Sequence, residues 1–251
     1  MTKLYFHAAS STDTGTLPSS VQSALGAPSI TVDATNVNRS MDNNMGASQK
    51  TLVATTAAVT TAQKIYFTRF VTPPLAISSL ASDTWNFTFV ATESALNANY
   101  PCNSTAQAIN VTVYIWRPSN GTKIATILDG PSAANFNEPG SHVTNEWSLS
   151  GTFAGSAVSF AVGDIICVEI YFSYTQGTAT VMTDTFYYDG TTETNNNGTS
   201  ISTMASHIES PNNAITFGTG ATAVVFPRFF STKPAPYDVR MFSNTPPMFS
   251  T

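Results

Sequence analysis

A chain of 251 residues is long enough for one large β domain, or for a domain with extended arms. Its 42% hydrophobic content supports a buried core and excludes a wholly disordered chain, while only 10% of residues are charged, against about 25% in ordinary soluble domains. A net charge of −5 with ten dispersed Lys and Arg residues excludes the focused basic stripe that nucleic acid requires; no apolar run approaches the about 18 residues of a membrane-spanning helix, and the N-terminal MTKLYFHAASSTDTG lacks the apolar stretch of a secretory signal.

Residues 1–50 open with the short apolar run LYF and continue through SSTDTG, LPSS and NRSMDNNMG, which are turn- and loop-like. Their isolated apolar anchors, Leu4, Tyr5 and Phe6 first among them, suit an extended arm lying along a neighbouring subunit. Strand signals begin near residue 51. LVATTAAV is weak, KIYFTRFV (64–71) is strong, and PPL at 73–75 breaks it. TWNFTFVATES (84–94) and AINVTVYIWRP (108–118) alternate with period two, the mark of half-buried strands. Asn120-Gly121 predicts a hairpin into KIATIL (123–128), and Asp129-Gly130-Pro131 predicts a further turn. HVTNEWSLSGTFAG (142–155) continues the pattern, DIICVEIYFSYT (164–175) reads as a central strand, and ATVMTDTFYYDG (179–190) ends in an Asp-Gly turn. ISTMASHIE, AITF and AVVFPRFF supply the last strands. From Ser231 the chain is Pro-rich, with Met241, Phe242, Met248 and Phe249 spaced along an extended segment suited to docking. The predicted architecture is all-β: an antiparallel two-sheet sandwich, jelly-roll-like, over residues 51–230, with extended arms at 1–50 and 231–251.

Chemistry-bearing patterns are sparse. His7, His142 and His207 lie far apart, and no nucleophile elbow, phosphate loop or metal-ligand spacing occurs, so no catalytic residue, cofactor or metal is assigned. Glu169 and Asp184 fall inside strands. Facing one groove they would serve a glycosidase; otherwise alternation points each to an outer sheet face. Trp85, Trp116, Trp147, Tyr187 and Tyr188 offer either a sugar-stacking platform or core packing, Trp85 reading as core. Trp116 is out of phase with Val111, Val113 and Ile115, and so faces a second layer or a partner. Cys102 and Cys167 show no disulfide pattern and read as free thiols. Six Asn-x-Ser/Thr triplets, at Asn38, Asn86, Asn103, Asn110, Asn120 and Asn197, are what this composition yields by chance, and two fall in predicted strands.

The segments LYFHAASSTDTGTLPSS, NRSMDNNMG, FVTPPL, TWNFTFVATES, VYIWRPSNGTKIATILDG and DTFYYDGTT together resemble a group of proteins encoded by tailed bacteriophages, similar to virion structural proteins. The resemblance brings no catalytic residues. It implies a particle component made in the host bacterial cytoplasm and carried in the virion. The expected role is therefore non-enzymatic: a capsid decoration or cement protein whose partners are copies of itself and other virion proteins, either the major capsid protein or tail proteins, with no nucleic acid and no membrane. The interface candidates are Leu4, Tyr5, Phe6, Trp116, Met241, Phe242, Met248 and Phe249. The alternatives are a tail, baseplate or fibre component, a carbohydrate-binding sandwich that recognises a host surface, and an enzyme acting on polysaccharide.

Overall fold

The computed structural model describes residues 1–11, 17, 28, 30–33, 38–58, 60–61, 63–93, 109–131, 147–174, 181, 183–190, 195–196, 199–200 and 205–218. Every regular element among them is a β-strand. In chain order these are β1 (Thr2–Ser10), β2 (Ile30–Thr31), β3 (Asn38–Asp42), β4 (Lys50–Thr55), β5 (Gln63–Val71), β6 (Ser79–Leu80), β7 (Asp83–Glu93) and β8 (Ile109–Arg117). There follow β9 (Thr122–Pro131), β10 (Trp147–Gly155), β11 (Val158–Ser159), β12 (Ile165–Tyr174), β13 (Thr183–Tyr188), β14 (Asn195–Asn196), β15 (Thr199–Ser200) and β16 (His207–Ser210).

Twelve strands share one hydrogen-bonded network. Its main path runs β4-β13-β7-β16-β1-β3-β5-β12-β8-β9, with β10 beside β7 and β2 beside β5. Pairing is antiparallel except that β2 and β3 run parallel to β5. The network folds over on itself, so that aromatic rings from its two halves meet. Phe186 of β13 lies 6.1 Å from Phe67 and 6.5 Å from Phe70 of β5, and Phe6 of β1 stacks 4.3 Å from Phe70. Each such ring removed from water contributes roughly 1.5–3 kcal/mol, and offset or edge contacts between rings add to that. The fold is thus an all-β, antiparallel-dominated sandwich about an aromatic core.

Alternation places Val111, Val113 and Ile115 of β8 and Ile166, Val168, Ile170 and Phe172 of β12 in this core. Their neighbours point the other way, yet they too are buried: Tyr114, Trp116, Ile165 and Cys167 pack with Leu17 and Val71 in a second cluster. A layer buried on both faces explains why β12 reads as a nearly continuous apolar run. Asn120-Gly121 makes the predicted hairpin between β8 and β9, with Gly121 at φ 67°. Asp129-Gly130 does not turn the chain. It continues β9, where Thr112 Oγ1 donates to the Asp129 carboxylate at 2.7 Å across the β8–β9 pair.

The expected N-terminal arm is corrected for its described part. β1 lies inside the sheet between β16 and β3, and Leu4 and Phe6 are fully buried core residues. The compact unit accordingly begins at Met1 and ends at Thr219, not at residue 51. The reason is that Leu4 and Phe6 alternate with Lys3 and Tyr5, a short period-two pattern that becomes a strand once β16, far along the chain, supplies its edge. The boundary at 230 and the segment 231–251, with Met241, Phe242, Met248 and Phe249, lie outside the described residues. One consequence is testable without any partner: limited proteolysis of the free chain leaves Thr2–Ser10 uncut, and early cleavage there would restore the arm.

Candidate functional site

Three of the sequence segments singled out above meet at one place. β1 carries His7 on the side away from Leu4 and Phe6, β3 carries Arg39 and Asp42, and β13 runs into Tyr188 and Asp189. His7 Nδ1 lies 3.1 Å from Asp189 Oδ1 and His7 Nε2 lies 3.2 Å from Asp42 Oδ1. The other Asp189 oxygen accepts from the Ala8 main-chain N–H at 2.8 Å, and the Asp189 N–H donates to the Phe6 carbonyl at 3.0 Å. Asp189 holds φ 60°, a conformation few non-glycine residues adopt. Gly46 is required beside it, because a Cβ there would collide with the Asp189 carboxylate. Arg39 donates from Nε and Nη2 to both oxygens of Asp33, at 2.6 and 2.8 Å, and from Nη1 to the Tyr188 hydroxyl at 2.6 Å.

Chemically this cluster is a clasp. Both imidazole nitrogens of His7 are engaged by carboxylate oxygens of its own fold. The cluster ties β1, β3 and the end of β13 together through charge-assisted hydrogen bonds. Local spacing gives no hint of it. The available signal is that strand-borne His, Arg and Asp are rare in a chain this poor in charge.

A second polar cluster is wholly interior. Arg69 of β5 and Glu169 of β12 are register partners on adjacent strands. Arg69 Nε and Nη2 lie 2.8 and 2.7 Å from Glu169 Oε1, and the Tyr114 hydroxyl donates to the same oxygen at 3.2 Å. Arg69 Nη1 reaches the Leu17 carbonyl at 3.0 Å and Asn38 Oδ1 at 3.1 Å. Burial pushes the Tyr114 hydroxyl and the Cys167 thiol well above their ordinary ranges, so neither ionises here. Cys167 is a free, buried thiol, as expected; Cys102 lies outside the described residues.

Two further carboxylates contrast sharply. Burial works against ionised Asp83, but donors outweigh it: the Ser210 hydroxyl, the Asn212 main chain and side chain and the Thr84 N–H bring it down to about 2. Asp184 has no such help. It shares the core-facing phase of β13 with Phe186 and Tyr188, is 1% exposed, and neither oxygen has a hydrogen-bond partner among the described residues. Burial alone raises it to about 7.

These positions decide several sequence expectations. Glu169 and Asp184 do not lie on outer faces: one is paired beneath Leu17 and the other points into the core. Trp116 does face a second layer, but at 2% exposure that layer is the chain's own Leu17 cluster and not a partner's surface. Trp85 is core, as read, and Tyr188 is 2% exposed beneath Arg39. The side chains proposed as a sugar platform therefore do not line a solvent-facing groove, apart from half-buried Tyr187; the side chain of Trp147 is outside the described residues. Of the interface candidates in the described residues, Tyr5 alone keeps partial exposure, its ring 5.4 Å from that of His207.

No family model matches this sequence, and no curated protein does. Among solved structures, a CocE/NonD family hydrolase from Staphylococcus aureus is similar over 67% of this chain and 33% of its own, at 9% identity and a TM-score of 0.39. An aminopeptidase from a marine sediment archaeon, Thaumarchaeota archaeon, is similar over 70% of this chain and 35% of its own, at 11% identity and a TM-score of 0.44. A structure of infectious bursal disease virus, Gt strain, is similar over 73% of this chain and 45% of its own, at 13% identity and a TM-score of 0.24. The chain thus spans about a third of the length of the hydrolase and aminopeptidase it matches. Likenesses this distant assign no activity to it.

Proposed function

We propose that this chain is a non-enzymatic structural protein of a bacteriophage virion, of the capsid decoration or cement type, which acts by packing against copies of itself and other particle proteins. The observation that carries this reading is the burial of the side chains its rivals need. A glycosidase requires two carboxylates across an open cleft, whereas Glu169 is locked to Arg69 and Asp184 is sealed in the core. A sugar-binding face requires exposed aromatic rings, whereas Trp85, Trp116 and Tyr188 are buried. Only 10% of the chain is charged, and few ions need be desolvated when a surface so poor in charge meets a neighbour. The resemblance of its sequence segments to tailed-phage proteins supports a phage particle as the setting. A tail, baseplate or fibre location uses the same physics and is the second reading.

The test is mass spectrometry of purified virions of the encoding phage, with a knockout for comparison. The expected result is the chain present in many copies and knockout particles that lose their contents at a lower temperature. Virions that lack the chain would overturn the proposal, and virions that carry it on the tail would move it to the second reading.

A further inference from the structure

The two ends of the main sheet path are built differently. β9, at one end, is protected in ways that edge strands commonly are. Its pairing with β8 shifts register twice, it carries Lys123, Asp129 and Pro131, and its Ile127 carbonyl accepts from the Ser156 N–H at 2.8 Å. β4, at the other end, has only one of these devices, a lysine at its first position. It pairs with β13 through six successive residues without a shift, contains no proline, and has Lys50 at its first position as its one charge. Among the described residues no strand pairs with its outer edge.

The side chains of β4 fit its use as a seam. Leu52 and Ala54 face the core, while Thr51, Val53 and Thr55 are exposed, Val53 at 51%. The same outer surface continues onto β13 through Tyr187, Thr185 and Thr183, which are the register partners of Thr51, Val53 and Thr55. This strip is uncharged and largely β-branched, the composition that favours strand pairing.

We propose that β4 pairs antiparallel with β4 of a second copy about a two-fold axis, joining two sandwiches through a continuous sheet. The inference rests on the reading of the chain as an assembly protein and names the surface by which one copy meets the next. The choice of a second copy follows from the sequence KTLVAT itself. With Val53 opposite Val53, Thr51 falls opposite Thr55 and Leu52 opposite Ala54. Threonine pairs and a β-branched pair then meet on the outer face, and the core face continues apolar across the seam. The two Lys50 side chains lie at opposite ends, so no like charges are apposed. A two-fold interface of one self-complementary patch is the commonest way for identical chains to associate.

The experiment uses the full chain, purified, in sedimentation over a range of concentrations. Wild type is expected to be dimeric. Val53→Lys and Val53→Glu each place like charges directly opposite across the axis and are expected to raise the dimer dissociation constant by about a hundredfold or more. Because Val53 is exposed in the single chain, both variants keep the wild-type circular dichroism, and their unfolding midpoint matches that of wild type at concentrations where wild type has dissociated. An equimolar mixture of the two restores the dimer as a Lys–Glu heterodimer. A wild type monomeric at every concentration, a Val53→Lys chain that still dimerises, or a mixture that stays monomeric would each overturn the inference. A dimer formed by a chain absent from virions keeps the seam and removes the particle role; a monomeric chain found in virions does the reverse.

Discussion

Asp184→Asn removes the component of stability that falls between about pH 4 and pH 7. In the folded chain the carboxyl is raised by burial to about 7 from its ordinary 3.8. Between those values the folded state holds a proton that the unfolded state has released, so stability declines as pH rises and the full penalty is present above pH 7. A displacement of about three units corresponds to on the order of 4 kcal/mol. The asparagine variant keeps the shape and has nothing to ionise. Urea unfolding of both proteins at pH 4.5, 6 and 7.5 (about the limits of this window) reads the effect as a growing difference between them, which cancels every other titrating group. Curves that stay parallel across the window would mean that Asp184 is solvated or paired.

Arg69→Met is the second large effect. The methionine fills much of the space of the arginine stem, but Glu169 is left as a buried charge without its arginine, with the Tyr114 hydroxyl still donating to it. Removing one partner of a buried ion pair costs about 3–5 kcal/mol. Adding Glu169→Leu removes the stranded charge, and the double variant should recover most of the loss, because a well-packed apolar pair often equals or exceeds a buried ionic one. Denaturant unfolding of the two single variants and the double variant measures this directly. A double variant no more stable than Arg69→Met would show that the pair contributes through packing alone. The pair also fixes alignment: a slip of β12 against β5 by one residue would carry Glu169 to the core face and Ile170 out of it.

Much of this architecture was legible in the residues, and the failures have physical causes. The long alternating runs that became β5, β7, β8 and β12 announced themselves because a half-buried strand imposes period two over many residues. The phase of Trp116 against Val111, Val113 and Ile115 is legible, but what covers it depends on Leu17, nearly a hundred residues earlier in the chain. Thr2–Ser10 reads as an arm because its apolar density is low and its partner strand lies about two hundred residues away. Asp129-Gly130 suggested a turn from local chemistry, and the β8 ladder overrode it. The clasp at His7 and the Arg69–Glu169 pair could not be read at all. Each joins strands whose register is set by the whole sheet, and no spacing along the chain encodes that.

The seam between β1 and β16 has a bearing on how the protein is made. Thr2 pairs opposite Ser210, and its hydroxyl donates to the Asn213 carbonyl and accepts from the Ile215 N–H. β1 therefore waits for β16, which follows it by about two hundred residues of chain. At about 5–20 residues per second, Leu4 and Phe6 remain without one flanking strand for roughly ten to forty seconds of synthesis. During that interval the growing chain exposes a sheet edge and two core side chains, the conditions under which nascent chains of a crowded polysome pair with one another. Slow closure of distant ends is the general expectation for such connectivity, and here it makes the rate of translation, as much as the sequence, a determinant of yield.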